Sequence, residues 1–238
     1  MGDSRPFLTA RWRHLAMLNY EADPALVRPF VPPGTEMDTF DGKTYVSLVA
    51  FMFLDTRVRG WAIPFHRDFE EVNLRIYVRR KGEEGWRRGV TFIKEIVPRV
   101  AIAWVARTVY GENYVALPMS HRWSSEDPPA VRYAWRTGGR ETAIDLEPEG
   151  PYRPIAPASP EEFIAEHYWG YTAAQKGGTV EYRVEHPRWR IAPARKAAWE
   201  GDAAALYGAA FASVLAGRPA SAFLAEGSEV AVGEGTRI

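Results

Sequence analysis

The sequence predicts a β-rich α+β fold built on antiparallel strands, a barrel or a sandwich carrying a few helices. Three observations support this. Runs of strand length recur, separated by turn dipeptides, as far as residue 147. Nothing in that stretch alternates strand with helix as βαβ units would. Apolar residues make up 46% of the chain, with 9 Trp, 11 Tyr and 11 Phe among its 238 residues, enough to bury a sizeable core in one domain spanning residues 1–238.

The elements follow in order. Asp23 before Pro24 starts a short helix to Phe30, because the carboxylate can cap free amides and proline tolerates the first helical position. Residues 35–40 and 43–54 flank Asp41-Gly42, a dipeptide suited to a tight hairpin turn. Residues 69–80 and 85–96 pair around Lys81-Gly82-Glu83-Glu84. Residues 99–110 read as a strand after Pro98, and 133–136 pairs with 141–146 around Gly138-Gly139. Past a proline-rich connector, Ser159-Pro160-Glu161-Glu162 opens a helix expected to run to Gly177-Gly178. Its buried stripe would be Phe163, Ile164, His167, Tyr168 and Tyr171. Residues 179–185 and 189–192 are two further strands, 203–216 is an alanine-rich helix, and 222–224 and 229–232 complete the sheet.

Charge and composition exclude several functions. Thirty basic residues balance thirty acidic ones, so no global field draws nucleic acid or an anionic membrane. No cysteine is present, which removes disulfides, thiolate metal sites and a cysteine nucleophile. No apolar stretch reaches the length of a signal peptide or a membrane span, so a cytoplasmic location is expected. His66-Arg67-Asp68 and Glu166-His167 have no third ligand at metal spacing, and no metal or cofactor is predicted. The serines lie in no nucleophile elbow, and the glycines at 82, 85 and 89 sit in and beside a hairpin rather than in a phosphate loop.

Two stretches carry candidate chemistry. Strict alternation in Glu71-Val72-Asn73-Leu74-Arg75-Ile76-Tyr77-Val78 puts Glu71, Asn73, Arg75 and Tyr77 on one face and four aliphatics on the other. That polar face is either the solvent side of a half-buried strand or the lining of a cavity where a carboxylate, an amide and a guanidinium converge on a small ligand. Arg107 follows six apolar residues, Ala101 to Ala106, and belongs at a rim with its head in water or in a pocket against an anion.

Met17-Leu18-Asn19-Tyr20, Val31-Pro32-Pro33-Gly34 with Asp38, the strand 71–78, Leu117-Pro118 and His186-Pro187-Arg188-Trp189 together resemble the YqjF-like family of the acetoacetate decarboxylase-like superfamily. The likeness runs roughly from Trp12 to Val232. It implies a closed, cone-shaped antiparallel β barrel with small peripheral helices and an internal pocket. The decarboxylases act through a lysine whose ammonium is destabilised by a neighbouring lysine, so that the free amine forms an imine with a β-keto acid. Here Asn113 and Tyr114 fall on that lysine pair, and neither can form an imine. The family's pocket arginine falls on Trp12, its second pocket carboxylate falls in the apolar run 46–54, and its pocket glutamate is matched by Glu71. Lys94 is the nearest lysine, and adjacent Glu95 is expected to favour its charged form.

Two functions follow as expectations. One is a lysine-independent, lyase-type enzyme acting on a small carbonyl-containing acid, with Glu71 and Arg75 catalytic and Asn73, Arg107, Asn113 and Tyr114 binding substrate. The other is a non-catalytic small-molecule-binding barrel. In either case the partner is a small ligand; the decarboxylases assemble into large oligomers, a property that need not transfer, and whether this chain forms a homo-oligomer is left open.

Overall fold

A computed structural model describes residues 6–102, 111, 113–174 and 177–238. The first element is a long strand absent from the predicted set, β1 (Leu8–Ala22). Asp23 then turns the chain: its carboxylate accepts from Ala25 N at 2.8 Å and caps α1 (Pro24–Val27) as predicted. After β2 (Glu36–Met37), Asp41 and Gly42 take positive φ, 49° and 76°, in a tight turn closed by the Phe40–Lys43 bridge that leads into β3 (Thr44–Val58). The expected hairpin arms do not pair, because Glu36 and Met37 lie across from Arg79 and Val78 instead of from β3. β4 (Trp61–Ala62) precedes the hairpin of β5 (Phe69–Gly82) and β6 (Gly85–Val97). Of the strand expected over 99–110, residues 100–102 are helical instead, and 103–110, Arg107 included, lie outside the described residues.

β7 (Tyr114–Ala116) and β8 (Met119–Trp123) lead to the hairpin of β9 (Val131–Thr137) and β10 (Arg140–Pro148), whose Gly138 and Gly139 both have positive φ. β11 (Arg153–Pro154) and α2 (Pro160–Ala165) follow. Ser159 Oγ caps α2 by accepting from Glu162 N at 3.1 Å. The helix is much shorter than expected: it ends at Glu166, and β12 (Trp169–Ala173) takes its place. The aromatic and β-branched content of Trp-Gly-Tyr-Thr suits a strand once partners on both sides supply hydrogen bonds. The predicted stripe is still largely interior, since Phe163, Ile164, His167 and Tyr171 are buried and Tyr168 is half-buried. β13 (Thr179–Glu185), β14 (Arg190–Glu200), α3 (Ala203–Tyr207), α4 (Ala209–Leu215), β15 (Ser221–Val232) and β16 (Thr236–Arg237) complete the chain. Among the described residues no helix is long and apolar enough to cross a bilayer.

The hydrogen-bonded neighbours run β13, β12, β6, β5, β3, β1, β15, and β15 pairs back onto β13 through Val184↔Val232, so these strands form a ring. Its ladders are antiparallel except at β6 and β12, which run parallel, a departure from the all-antiparallel expectation. That junction depends on glycine. A side chain at Gly89 would come within 2.4 Å of the Trp169 carbonyl, and one at Gly170 within 2.1 Å of the Tyr182 ring. β14 links the ring to a second layer: Ile191–Pro193 pair with β15, and Ala194–Glu200 pair with β10, beyond which lie β9 and β8.

Alternation along β3 and β5 then separates two cores. Val46, Leu48, Ala50, Val72, Leu74 and Ile76 pack outside the ring with Tyr133, Trp135, Ile144 and the α3–α4 residues Leu206 and Phe211. Tyr45, Val49, Phe51, Phe53, Phe69 and Tyr77 pack inside it with Phe163, Ile164 and Trp189. Each fully buried aliphatic side chain contributes about 1.5–3 kcal/mol relative to exposure. Both faces of β5 are therefore costly to expose, and its orientation is strongly specified.

Candidate functional site

The inside of the ring holds a cavity of about 200 Å³. Because β5 turns its odd-numbered residues inward, Glu71, Asn73 and Arg75 all line it, with Glu95 of β6, Tyr114 of β7 and His167 beyond α2. The solvent-face alternative for the polar stripe is thereby excluded: Glu71 and Asn73 are each 3% exposed.

Glu71 accepts from Tyr114 Oη at 2.9 Å and from Asn73 Nδ2 at 3.1 Å. Burial pushes its carboxyl up to about 7, and those two hydrogen bonds offset only part of the effect. Arg75 is not among its hydrogen-bond partners. The guanidinium donates from Nη2 to the Ile164 carbonyl at 3.0 Å and from Nε to Tyr77 Oη at 3.4 Å, which uses two of its five N–H donors.

A buried chain of hydrogen bonds stands behind Arg75. Tyr77 Oη is 2.5 Å from Ser47 Oγ, Ser47 donates to Asn19 Oδ1 at 2.7 Å, and Asn19 Nδ2 donates to Ser221 Oγ at 3.1 Å. The single Ser47 proton goes to Asn19, so Tyr77 must be the donor to Ser47, which leaves its oxygen to accept from Arg75. Ser221, Asn19, Ser47 and Arg75 lie directly across from one another on β15, β1, β3 and β5, and Tyr77, two residues along β5 on the same face, joins the row diagonally.

Two residues stand differently from expectation, and a third gains a role. Asn113 is exposed and does not line the cavity; its amide donates to the Ile93 carbonyl at 2.8 Å, tying down the start of β7. Lys94 points to the opposite side of β6 from Glu95, onto the Leu206 carbonyl, and burial lowers its pKa. No lysine is among the described residues lining the cavity. His167, expected on the buried stripe, is packed against Tyr77 and Phe163 and also lines the cavity, with its side chain 1% exposed and Nε2 3.3 Å from Asp38 Oδ2.

Arg88 Nε donates to the same Asp38 oxygen at 2.6 Å. Burial works to raise the Asp38 pKa, but hydrogen bonds from His167 and Arg88 outweigh it and hold the carboxylate below its usual range. Burial also drives His167 down to about 4 against the opposing pull of Asp38. At neutral pH the ring is therefore uncharged and its Nε2–H is committed to Asp38.

Glu95 is the cavity residue that the sequence concealed most fully. It is 1% exposed and lies across from Asn73 on one side and Tyr114 on the other. A bulge between β5 and β6, where Leu74 pairs with Lys94 but Arg75 pairs with Phe92, breaks the alternation that would have shown which way it points. His167 had a partial signal in its place on the predicted stripe. Trp12 and Phe51, at or within the positions the family likeness assigns to an arginine and a carboxylate, both line the cavity and make its wall aromatic.

The ring, its cavity and the second layer define an acetoacetate decarboxylase-like fold. The structure is similar to acetoacetate decarboxylase of Legionella pneumophila (TM-score 0.67, 14% identity, 98% of this chain and 88% of that one). It is equally similar to the enduracididine biosynthesis enzyme MppR complexed with pyruvate (TM-score 0.69, 14% identity, 99% and 93%). An acetoacetate decarboxylase-like enzyme of Sphingomonas wittichii RW1 matches as well (TM-score 0.66, 14% identity, 100% and 94%). At such identities the likeness shows the fold alone. Within that fold, residues 9–229 match DUF2071, a family described as an uncharacterized conserved protein, and the chain belongs to it. The uncharacterized protein YqjF of Bacillus subtilis strain 168 is 30% identical over 184 residues, 74% of this chain and 72% of that protein.

Proposed function

We propose that the protein binds a small carbonyl-containing organic acid in the ring cavity and acts on it by acid–base chemistry, without an imine. The observation that carries this reading is the placement of Glu71: a carboxyl 3% exposed, held by Tyr114 and Asn73 inside a largely apolar cavity, where burial raises its pKa. A group titrating near the working pH can both give and take a proton. In this reading Glu71 exchanges a proton with the carbonyl compound, Asn73 and Tyr114 orient it, and Arg75 holds the substrate carboxylate through its remaining donors. Arg107 keeps its proposed anionic contact, and Asn113 is withdrawn from the site. The ring is read as a closed barrel and residues 1–238 as one domain. The pyruvate complex of MppR, a protein of the same fold, supports the choice of ligand class.

The test is a thermal-shift screen of the full chain with pyruvate, acetoacetate and larger oxo acids, followed by an NMR assay of each hit for conversion. Glu71→Gln is expected to keep the fold and lose turnover. Binding without conversion by the unmodified protein would instead favour the non-catalytic barrel. No stabilisation by any oxo acid would sink both the enzyme and this ligand class.

A further inference from the structure

The cavity changes character along its length. Trp12, Phe53 and Phe69 lie directly across from one another on β1, β3 and β5; two residues on, Phe51 faces Glu71, and two further, Val49 faces Asn73. With a rise of about 3.3 Å per residue, the aromatic row stands roughly 7 Å from the Glu71 row along the strands. The row is a continuous wall. Phe53 stacks on Phe69 at 4.7 Å, and Trp12 meets Phe53 edge-on at 5.6 Å and Phe51 at 5.2 Å. Trp189 extends it at 6.3 Å from Trp12.

These rings border open volume rather than one another alone. The space of about 200 Å³ is many times the roughly 10–15 Å³ that a cavity needs to hold one water. Waters against the aromatic row would find few hydrogen-bond partners. A ligand of pyruvate's size seated at Glu71 would leave that row facing an unfilled void and forgo its dispersion contacts.

We infer that the ligand carries an aromatic or branched apolar body, which lies against Trp12, Phe53 and Phe69 while its carbonyl and acid groups sit at the Glu71, Asn73 and Tyr114 end. The inference rests on the carbonyl-acid reading of this site and narrows it from small oxo acids to those with a bulky apolar tail.

Calorimetric titration of the full chain with pyruvate, 4-methyl-2-oxopentanoate, phenylpyruvate and benzyl alcohol tests both levels. Phenylpyruvate is expected to bind at least tenfold more tightly than pyruvate, with the branched acid between them, and benzyl alcohol at least tenfold more weakly than phenylpyruvate. Phe53→Leu should cut the phenylpyruvate advantage severalfold while leaving pyruvate within twofold. Pyruvate binding as tightly as phenylpyruvate overturns the apolar body and leaves the acid reading standing. Benzyl alcohol matching phenylpyruvate overturns the acid head, and with it this ligand class. Absence of binding by every compound overturns both.

Discussion

Glu71 and His167 line the same cavity, yet burial drives them to opposite protonation states. Glu71, normally near 4.5, titrates at about 7, while His167, normally near 6.5, titrates at about 4. Their effects on stability therefore have opposite signs. Between 4.5 and about 7 the folded protein keeps a Glu71 proton that the unfolded chain releases, so stability falls as pH rises. Between about 4 and 6.5 the unfolded chain takes up a proton that folded His167 refuses, so stability rises with pH. Each contribution is on the order of 3 kcal/mol across its window, and where the windows overlap the two cancel. We expect Glu71→Gln to remove the falling component and leave stability rising from pH 4 to 6.5. His167→Gln should leave it falling from 4.5 to 7. Urea midpoints at a series of pH values read this directly, and a Glu71→Gln profile parallel to that of the unmodified protein would refute the assigned burial. The glutamine can still accept from Tyr114, so fold loss is not the anticipated effect.

Among the elements, the junction of β6 and β12 depends most on single residues. Gly89 sits opposite Trp169 in the only parallel ladder of the ring seen among the described residues. A methyl group there would meet backbone, 2.4 Å from the Trp169 oxygen, and backbone cannot swing aside as a side chain can. Gly89→Ala is thus expected to cost about 1–3 kcal/mol and to increase hydrogen exchange in β12 before β3. A variant with unchanged stability and protection would show that the junction tolerates separation. In the sequence Gly89 looks like one more glycine near a hairpin, because its constraint comes from a strand about eighty residues away. The same distance explains the shortened helix at 160. Ser159, Glu162 and the Phe163–Ile164 pair signalled its start correctly, but its end was decided by strand partners for 169–173 that no local pattern displays.

At the scale of the whole molecule, the fold of the decarboxylases is present without a lysine among the described residues of the cavity. Incubation with acetoacetate and borohydride should leave the protein mass unchanged, and a stable adduct on any lysine would overturn the imine-free reading. What the sequence determined by itself was local: the capped helix start at Asp23, the tight turn at Asp41-Gly42, the hairpin at Gly138-Gly139, and the period-two alternation that put Glu71, Asn73 and Arg75 on one face of β5. These follow from backbone sterics and side-chain periodicity over a few residues, which any sequence displays. The tertiary structure alone decided which way that face turned, because both faces of β5 are buried and only the packing of β9, β10, α3 and α4 on the aliphatic side sends the polar side inward. It likewise chose Tyr114 rather than Arg75 as the partner of Glu71, brought Glu95 and His167 to the cavity, and withdrew Asn113. Each of these depends on register between strands distant in sequence, and burial, which sets the charge of Glu71 and His167, exists only once those strands have closed around them.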